Sequence, residues 1–297
     1  MAERVIVAIP TFKRPKNLQR LLESLTKLDT DADISVLVAD NDADGHEGFD
    51  LCARVVGYRW PLKAVICADR GIAQVRNKLV AEALKDEKAS FVAMIDDDEW
   101  PDARWIAEFL NAQRQSGADA LQGSILFGDK SGGTPDIRRM SGPTDMLQGA
   151  GNLFLSRARL AAMSPPWFDP AFALTGGEDR EFFLRLKREG ARFAWVDEAR
   201  AYGDVPETRA TLGWALRRAY STGNSDMRAL LKHQQGGRLI EAAKILGVLL
   251  LSLPLAVILS PSPNHRLWPL AKLCRAAGKL TAMLGWRYNE YAVVHGE

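Results

Sequence analysis

Phe91-Val92-Ala93-Met94-Ile95-Asp96-Asp97-Asp98 is the stretch on which the fold turns. Five apolar residues in a row, with no polar alternation, describe a strand buried on both faces. Such strands occur in mainly parallel sheets covered by helices, not in sheets with one wet face. Three carboxylates at the strand end repel one another, so something positive is expected to hold them.

The pattern repeats outward from this stretch. Apolar runs at Val5–Ile9, Ile34–Ala39 and Ala64–Cys67 precede it, and polar or turn-forming residues follow each: Pro10-Thr11, Asp40-Asn41-Asp42 and Arg70-Gly71. Helical spacing fills the gaps. Pro15 suits a first helical position, and Leu18, Leu21, Leu22 and Leu25 follow at intervals of three and four. Ile72, Val75 and Leu79 make a second stripe. Strands alternating with helices give an α/β fold with a mainly parallel sheet. Ligands of such sheets sit beyond the carboxyl ends of the strands, where the polar residues of this chain converge.

The chain has 297 residues, 47% of them hydrophobic and 26% charged, enough for one large α/β domain and an appendage. The net charge of +2, with no basic tract in the first half, does not suggest a nucleic-acid binder. Cys52, Cys67 and Cys274 are far apart, as are the four histidines, so neither a disulfide framework nor a Cys/His metal site is expected. Met-Ala-Glu-Arg leads directly into a strand, and a reducing cytosol without a secretory signal is the expectation.

Further on, Gly128 to Pro143 reads as a loop rich in Gly, Ser and Pro. Short strands are expected at Asn152–Leu155 and Arg192–Val196, with a helix from about Glu178 to Glu189 between them. From Ile245 to Pro263 no residue is charged. A 19-residue helix there spans roughly 28 Å, near the ~30 Å of a hydrocarbon core, although Pro254 argues against a straight span. Leu267–Leu284 then sets Lys272, Arg275 and Lys279 along one face, as in helices that lie on anionic membranes. The competing reading is a pair of core helices. Membrane contact is the expectation, with a catalytic domain over residues 1–225 and a membrane-associating region over 226–297.

Hard divalent cations such as Mg²⁺ or Mn²⁺ take carboxylate oxygens together with substrate phosphates. Asp96 and Asp98, one residue apart on an extended end, share a side. Helix capping by the Trp100-Pro101-Asp102 segment accounts for one or two acids there, not for three. Glu178-Asp179 follows Gly176-Gly177 and opens an amphipathic segment. It reads either as an acidic helix N-terminus or as a carboxylate base that takes a hydroxyl proton. Gly149-Ala150-Gly151-Asn152 is a tight turn feeding a strand; it reads either as turn geometry alone or as a place where Gly151 and Asn152 admit a sugar or acceptor close to the backbone. Arg209, Arg217 and Arg218 read either as solvated side chains or as candidates to neutralise a leaving diphosphate.

Taken in order, Ala8–Pro15, Val38–Asp42, Gly71–Asn77, Ile95–Pro101, Gly149–Asn152 and Gly177–Asp179 resemble the inverting family-2 glycosyltransferases. The resemblance covers roughly residues 4–225, with the bacterial exopolysaccharide (succinoglycan-type) members most alike. It implies a GT-A fold and a nucleotide-diphosphate sugar donor, usually a UDP-sugar. Carried over by position, Pro10, Thr11, Arg14, Asp40, Asp42 and Arg76 border the nucleotide. Asp96 and Asp97 face the ribose and sugar, and Asp98 with Asp96 holds the metal. Asp179 is the base with Glu178 in support, while the metal and Arg217 or Arg218 offset charge on the diphosphate. Asn41-Asp42 replaces the commoner Asp-Gly. Tyr202-Gly203-Asp204 stands where the family often has a histidine. The Gln-x-x-Arg-Trp signature of processive synthases is absent, which implies one sugar per encounter. The expected acceptor is a lipid-linked saccharide of surface or exopolysaccharide synthesis, at the cytoplasmic face of the bacterial inner membrane. The rivals are a nucleotidyltransferase acting on sugar phosphates and a non-catalytic membrane-bound nucleotide-sugar-binding protein.

Overall fold

The computed structural model describes residues 2–127, 134–135, 139–204, 211–233, 238–259, 261 and 267–289. The first third alternates as expected: β1 (Arg4–Thr11), α1 (Pro15–Leu25), β2 (Asp33–Asp40), α2 (Glu47–Arg54), β3 (Leu62–Ile66), α3 (Ile72–Ala83) and β4 (Phe91–Met94). There follow β5 (Glu99–Pro101), α4 (Trp105–Ser116), β6 (Ala120–Phe127), β7 (Thr134–Pro135), β8 (Gly142–Thr144), β9 (Leu153–Ser156), α5 (Arg157–Ala162), α6 (Glu178–Arg188) and β10 (Phe193–Gly203). The last elements are α7 (Leu212–Lys232), α8 (Arg238–Ile258) and α9 (Leu267–Met283).

Two compact units emerge. The first takes residues up to Ala173 and from Arg185 to Asp204, and it holds the sheet. Its strand order is β3-β2-β1-β4-β9-β6-β10-β5, with β7 on β6 and β8 on β10. β3, β2, β1, β4, β6 and β10 run one way; β9, β5, β7 and β8 oppose them. Leu18, Leu21, Leu22 and Leu25 bury the inner stripe of α1 among Val5, Val7 and Ile9. Phe154 stacks between Phe91 and Phe109, at centroid distances of 4.7 and 5.1 Å, and joins α4 to the sheet centre. The second unit takes Leu174–Leu184 and Val205–Val294. Its core is Met227, Ile245, Ala276 and Ala282, from α7, α8 and α9.

Three expectations change. Trp100-Pro101 is not a helix start: Glu99–Pro101 pairs antiparallel with Ala201–Gly203, and the helix begins at Trp105. Of the Gly128–Pro143 stretch, 128–133 and 136–138 lie outside the described residues, and the remainder contributes β7 and part of β8. α8 runs through Pro254 as one helix.

Glu82 on α3 binds three lysines, Lys63, Lys78 and Lys85, at 2.9, 3.3 and 2.8 Å. Hydrogen bonds from Lys85 and then Lys63 hold its carboxyl down at about 2. The unfolded chain titrates near ~4.3, so this stabilisation is present above that pH and is lost as pH falls toward 2. The lysines are largely solvated, which limits the effect to about 1 kcal/mol. Glu82→Gln is expected to lower unfolding stability by that amount at pH 7 and by nothing near pH 2. Denaturant titrations at both pH values check it, and an equal deficit at both would contradict it.

Candidate active site

The strand ends of the first unit assemble the site. Thr11 closes β1, Asp40 closes β2, and Asp96-Asp97-Asp98 leaves β4, which lies beside β1. Asp97 turns inward. Its Oδ2 accepts the Thr11 hydroxyl at 2.8 Å, and its Oδ1 accepts Arg14 Nη1 at 3.2 Å. Arg14 also donates to Asp98 Oδ2 at 3.0 Å, so one guanidinium clips two neighbouring carboxylates. Burial first, then Asp98 and Asp96, pushes the Asp97 carboxyl up to about 7, against the pull of Arg14 and Thr11. Arg76 projects from α3 to Asp96 Oδ1 at 3.2 Å and lies 5.8 Å from the Phe168 ring centroid.

Glu99 completes the cluster, and the sequence reading gave it no role. Ligand oxygens of Asp96, Asp98 and Glu99 lie within 4.8 Å of one another. Burial, then Asp96 and Asp98, raises the Glu99 carboxyl well above the usual carboxylate range. Its Oε2 is buried with no hydrogen-bond partner. A buried carboxylate with an unsatisfied oxygen, close to two more carboxylates, is costly unless a cation shares the cluster. Gly151 borders this spot: a Cβ there would stand 2.8 Å from Glu99 Oε1 and 3.4 Å from Asp96 Oδ2. The donor set is all oxygen, which fits Mg²⁺ or Mn²⁺. The available signal for Glu99 was its place directly after three aspartates. What hid it was β5, a strand made only by pairing with β10.

Other expected residues take different roles. Asp40 is fully buried, and its oxygens accept the backbone N–H groups of Asp42, Gly48 and Phe49 at 2.8–2.9 Å. Through these bonds it shapes the β2–α2 loop. Asn41 ties that strand end to the β3–α3 loop, donating to the carbonyls of Cys67 and Asp69 and accepting the Gly71 N–H. Asp42 is buried, with Lys13 Nζ 3.8 Å away. Pro10 is buried in β1 opposite Ala39. Asn152 is fully buried, accepts Trp105 Nε1 at 2.6 Å and donates to the carbonyls of Ser124 and Ala199, so it braces the core.

Glu178, Asp179, Arg217 and Arg218 belong to the second unit. Gly176 and Gly177 both take positive φ, 71° and 93°, which lets the chain turn sharply into α6. Glu178 is buried, and Asp179 is half-buried with Oδ1 accepting the Arg180 N–H at 2.6 Å. One turn on, the buried Glu181 is gripped by Lys232 at 3.1 Å and His233 at 2.9 Å, which fastens α6 to the end of α7. Arg217 and Arg218 are exposed on the first turns of α7. Arg209 lies outside the described residues.

The sequence pattern described as Glycosyl transferase family 2 matches residues 6–163. The succinoglycan biosynthesis protein ExoM of Rhizobium meliloti (strain 1021) is 28% identical over 246 residues, covering 78% of this chain and 77% of that protein. Among solved structures, the mannosyltransferase PcManGT of Pyrobaculum calidifontis, in complex with GDP-Man and Mn²⁺, aligns at a TM-score of 0.66 with 15% identity. That alignment covers 96% of this chain and 88% of that one. S. aureus TarS 1-349 in complex with UDP-GlcNAc aligns at 0.54 with 16% identity, over 95% of this chain and 92% of that one. The shared fold is GT-A.

Proposed function

The chain belongs to glycosyl transferase family 2 and is a glycosyltransferase, and from that premise we propose a metal-dependent, inverting hexosyl transfer from a UDP-sugar to a hydroxyl of a lipid-linked saccharide. The observation that carries this reading is the oxygen cluster of Asp96, Asp98 and Glu99 at the carboxyl ends of parallel strands. Those three residues would hold Mg²⁺ or Mn²⁺, which when bound supplies positive charge to the two donor phosphates.

The chain's own residues do the rest. Arg14 and Arg76 hold the aspartates in place while offsetting part of their mutual repulsion. Pro10, Thr11 and Asp42 form the floor and wall for the nucleoside, with Asp40 and Asn41 keeping the loop in shape. Asp179, in the first turn of α6, is favoured as an anion by the helix dipole and by the Arg180 N–H. It takes the acceptor hydroxyl proton as that oxygen attacks the anomeric carbon, the bond to the diphosphate breaks, and configuration inverts. Glu178 supports it, and Arg217 or Arg218 meets the leaving phosphate. Family membership sets aside the nucleotidyltransferase alternative.

The exposed apolar surface of α8, with Leu246, Leu250, Leu251, Leu253, Val257 and Ile258, supports attachment to the cytoplasmic face of a bacterial inner membrane, where lipid-linked saccharides are presented. The deciding experiment offers the full chain a panel of nucleotide-sugars with Mn²⁺ and a short saccharide acceptor. UDP is the expected product. Pyrophosphate, or no nucleoside diphosphate from any donor, would overturn the proposal.

A further inference from the structure

We infer that α8 lies in the plane of the bilayer, submerged along one face, and does not cross it. The inference rests on the membrane reading above and concerns how the helix sits.

Two opposite stripes of α8 differ completely. On one, Glu241, Ile245 and Ser252 are buried, and Val248 and Leu249 pack on Met227, Ala276 and Ala282. Glu241 on this stripe is paired with Lys244 at 2.6 Å and with Lys279 of α9 at 3.5 Å. On the other stripe Leu239, Ala243, Leu246, Leu250, Leu253 and Val257 recur at intervals of three and four, and all are exposed. Leu250 is 65% and Val257 75% exposed. A helix on the outside of a unit surrounded by water carries its charges on this face; here there are none. Trp268, Leu284 and Trp286 are also exposed, and the exposed Lys272 lies over the Trp268 ring at 5.8 Å. Apolar stripe, tryptophans and the lysine beside one of them together match an anionic lipid surface.

The same unit argues against a span. α9 is bound to α7 at backbone contact: a Cβ on Gly223 would stand 2.1 Å from the Arg275 carbonyl oxygen, and one on Gly278 would stand 2.0 Å from that of Tyr220. Asn224 of α7 reaches Thr281 Oγ1 and the Trp286 carbonyl, and Arg275 pairs with Asp226 at 2.5 Å. If α8 crossed the bilayer, α9 and α7 would go with it. Lys272, the Arg275–Asp226 pair and the Glu241–Lys279 pair would then sit at hydrocarbon depth, where charges are expensive. Lying flat, α8 submerges only the bare stripe and keeps every ion pair above the acyl chains.

The test uses the full chain with Cys274→Ser, leaving Cys52 and Cys67, which are buried. Leu239→Cys, Leu250→Cys and Val257→Cys each carry one fluorophore. Vesicles of phosphatidylglycerol and phosphatidylethanolamine contain lipids spin-labelled at shallow or deep acyl positions. Equal quenching at all three sites, stronger from the shallow label, is the expected result. A deep position 250 between shallow positions 239 and 257 would overturn the inference in favour of a span and leave the proposed chemistry standing. Absence of quenching at every site would overturn both this inference and the membrane attachment. UDP release in solution, measured in parallel, reports on the transfer reading separately. As a second check, Leu250→Glu with Leu253→Glu is expected to cut vesicle sedimentation at least tenfold with the rate of donor hydrolysis unchanged; undiminished sedimentation would count against the inference.

Discussion

Asp98→Ala is expected to lower turnover about a thousandfold and to abolish Mn²⁺ binding in the presence of UDP. Asp98 is one of three carboxylates whose oxygens lie within 4.8 Å, so its loss removes a third of the acidic set. At an effective dielectric near 20, one unit-charge contact at ~4 Å is worth roughly 4 kcal/mol, which corresponds to about three decades in rate. Electron paramagnetic resonance of Mn²⁺ separates a lost site from a lost fold, because free Mn²⁺ remains visible while circular dichroism tests the protein. Asp97→Asn is the informative contrast. Its side chain bonds Thr11 and Arg14 in the interior, so that change should lower thermal stability before it alters metal affinity. Full activity of Asp98→Ala, or of wild type after exhaustive chelation, would remove the metal from the mechanism.

The second large effect concerns the base. Asp179→Asn keeps the shape and the hydrogen bond from the Arg180 N–H but cannot take a proton. UDP affinity should stay within about threefold of wild type, while kcat falls by roughly 10²–10⁴, the usual contribution of a positioned base. Isothermal titration with UDP and steady-state transfer assays read the two quantities independently. Near-normal kcat would show that another group accepts the proton. Glu178, buried beside it, is the control: Glu178→Gln should weaken transfer less than Asp179→Asn.

Much of the first unit was legible because its signals are local. A strand buried on both faces must be apolar throughout, and that alone located β1, β2 and β4 within a residue or two. Thr11, Arg14, Arg76 and the three aspartates were legible as a group for a related reason: parallel strands bring their carboxyl ends to one edge whatever the side chains there do. What was not legible depends on partners distant in the chain. Trp100-Pro101-Asp102 resembles a helix start until Ala201–Gly203 pairs with Glu99–Pro101. The amide of Asn152 is taken up by Trp105, Ser124 and Ala199, and the carboxylate of Asp40 by three backbone N–H groups, none of which a local pattern announces.

The sequence by itself determined the alternation of apolar strands and helices, the acidic edge and the bare apolar character of the C-terminal helix, since each follows from residue type over a few turns or a single strand. Only the tertiary structure decided that Glu99 joins Asp96 and Asp98, which groups hydrogen-bond Asn152 and Asp40, and which stripe of α8 is covered. Those outcomes depend on hydrogen-bond and packing partners tens of residues away, and a carboxylate or amide has no role of its own until the fold supplies or withholds them.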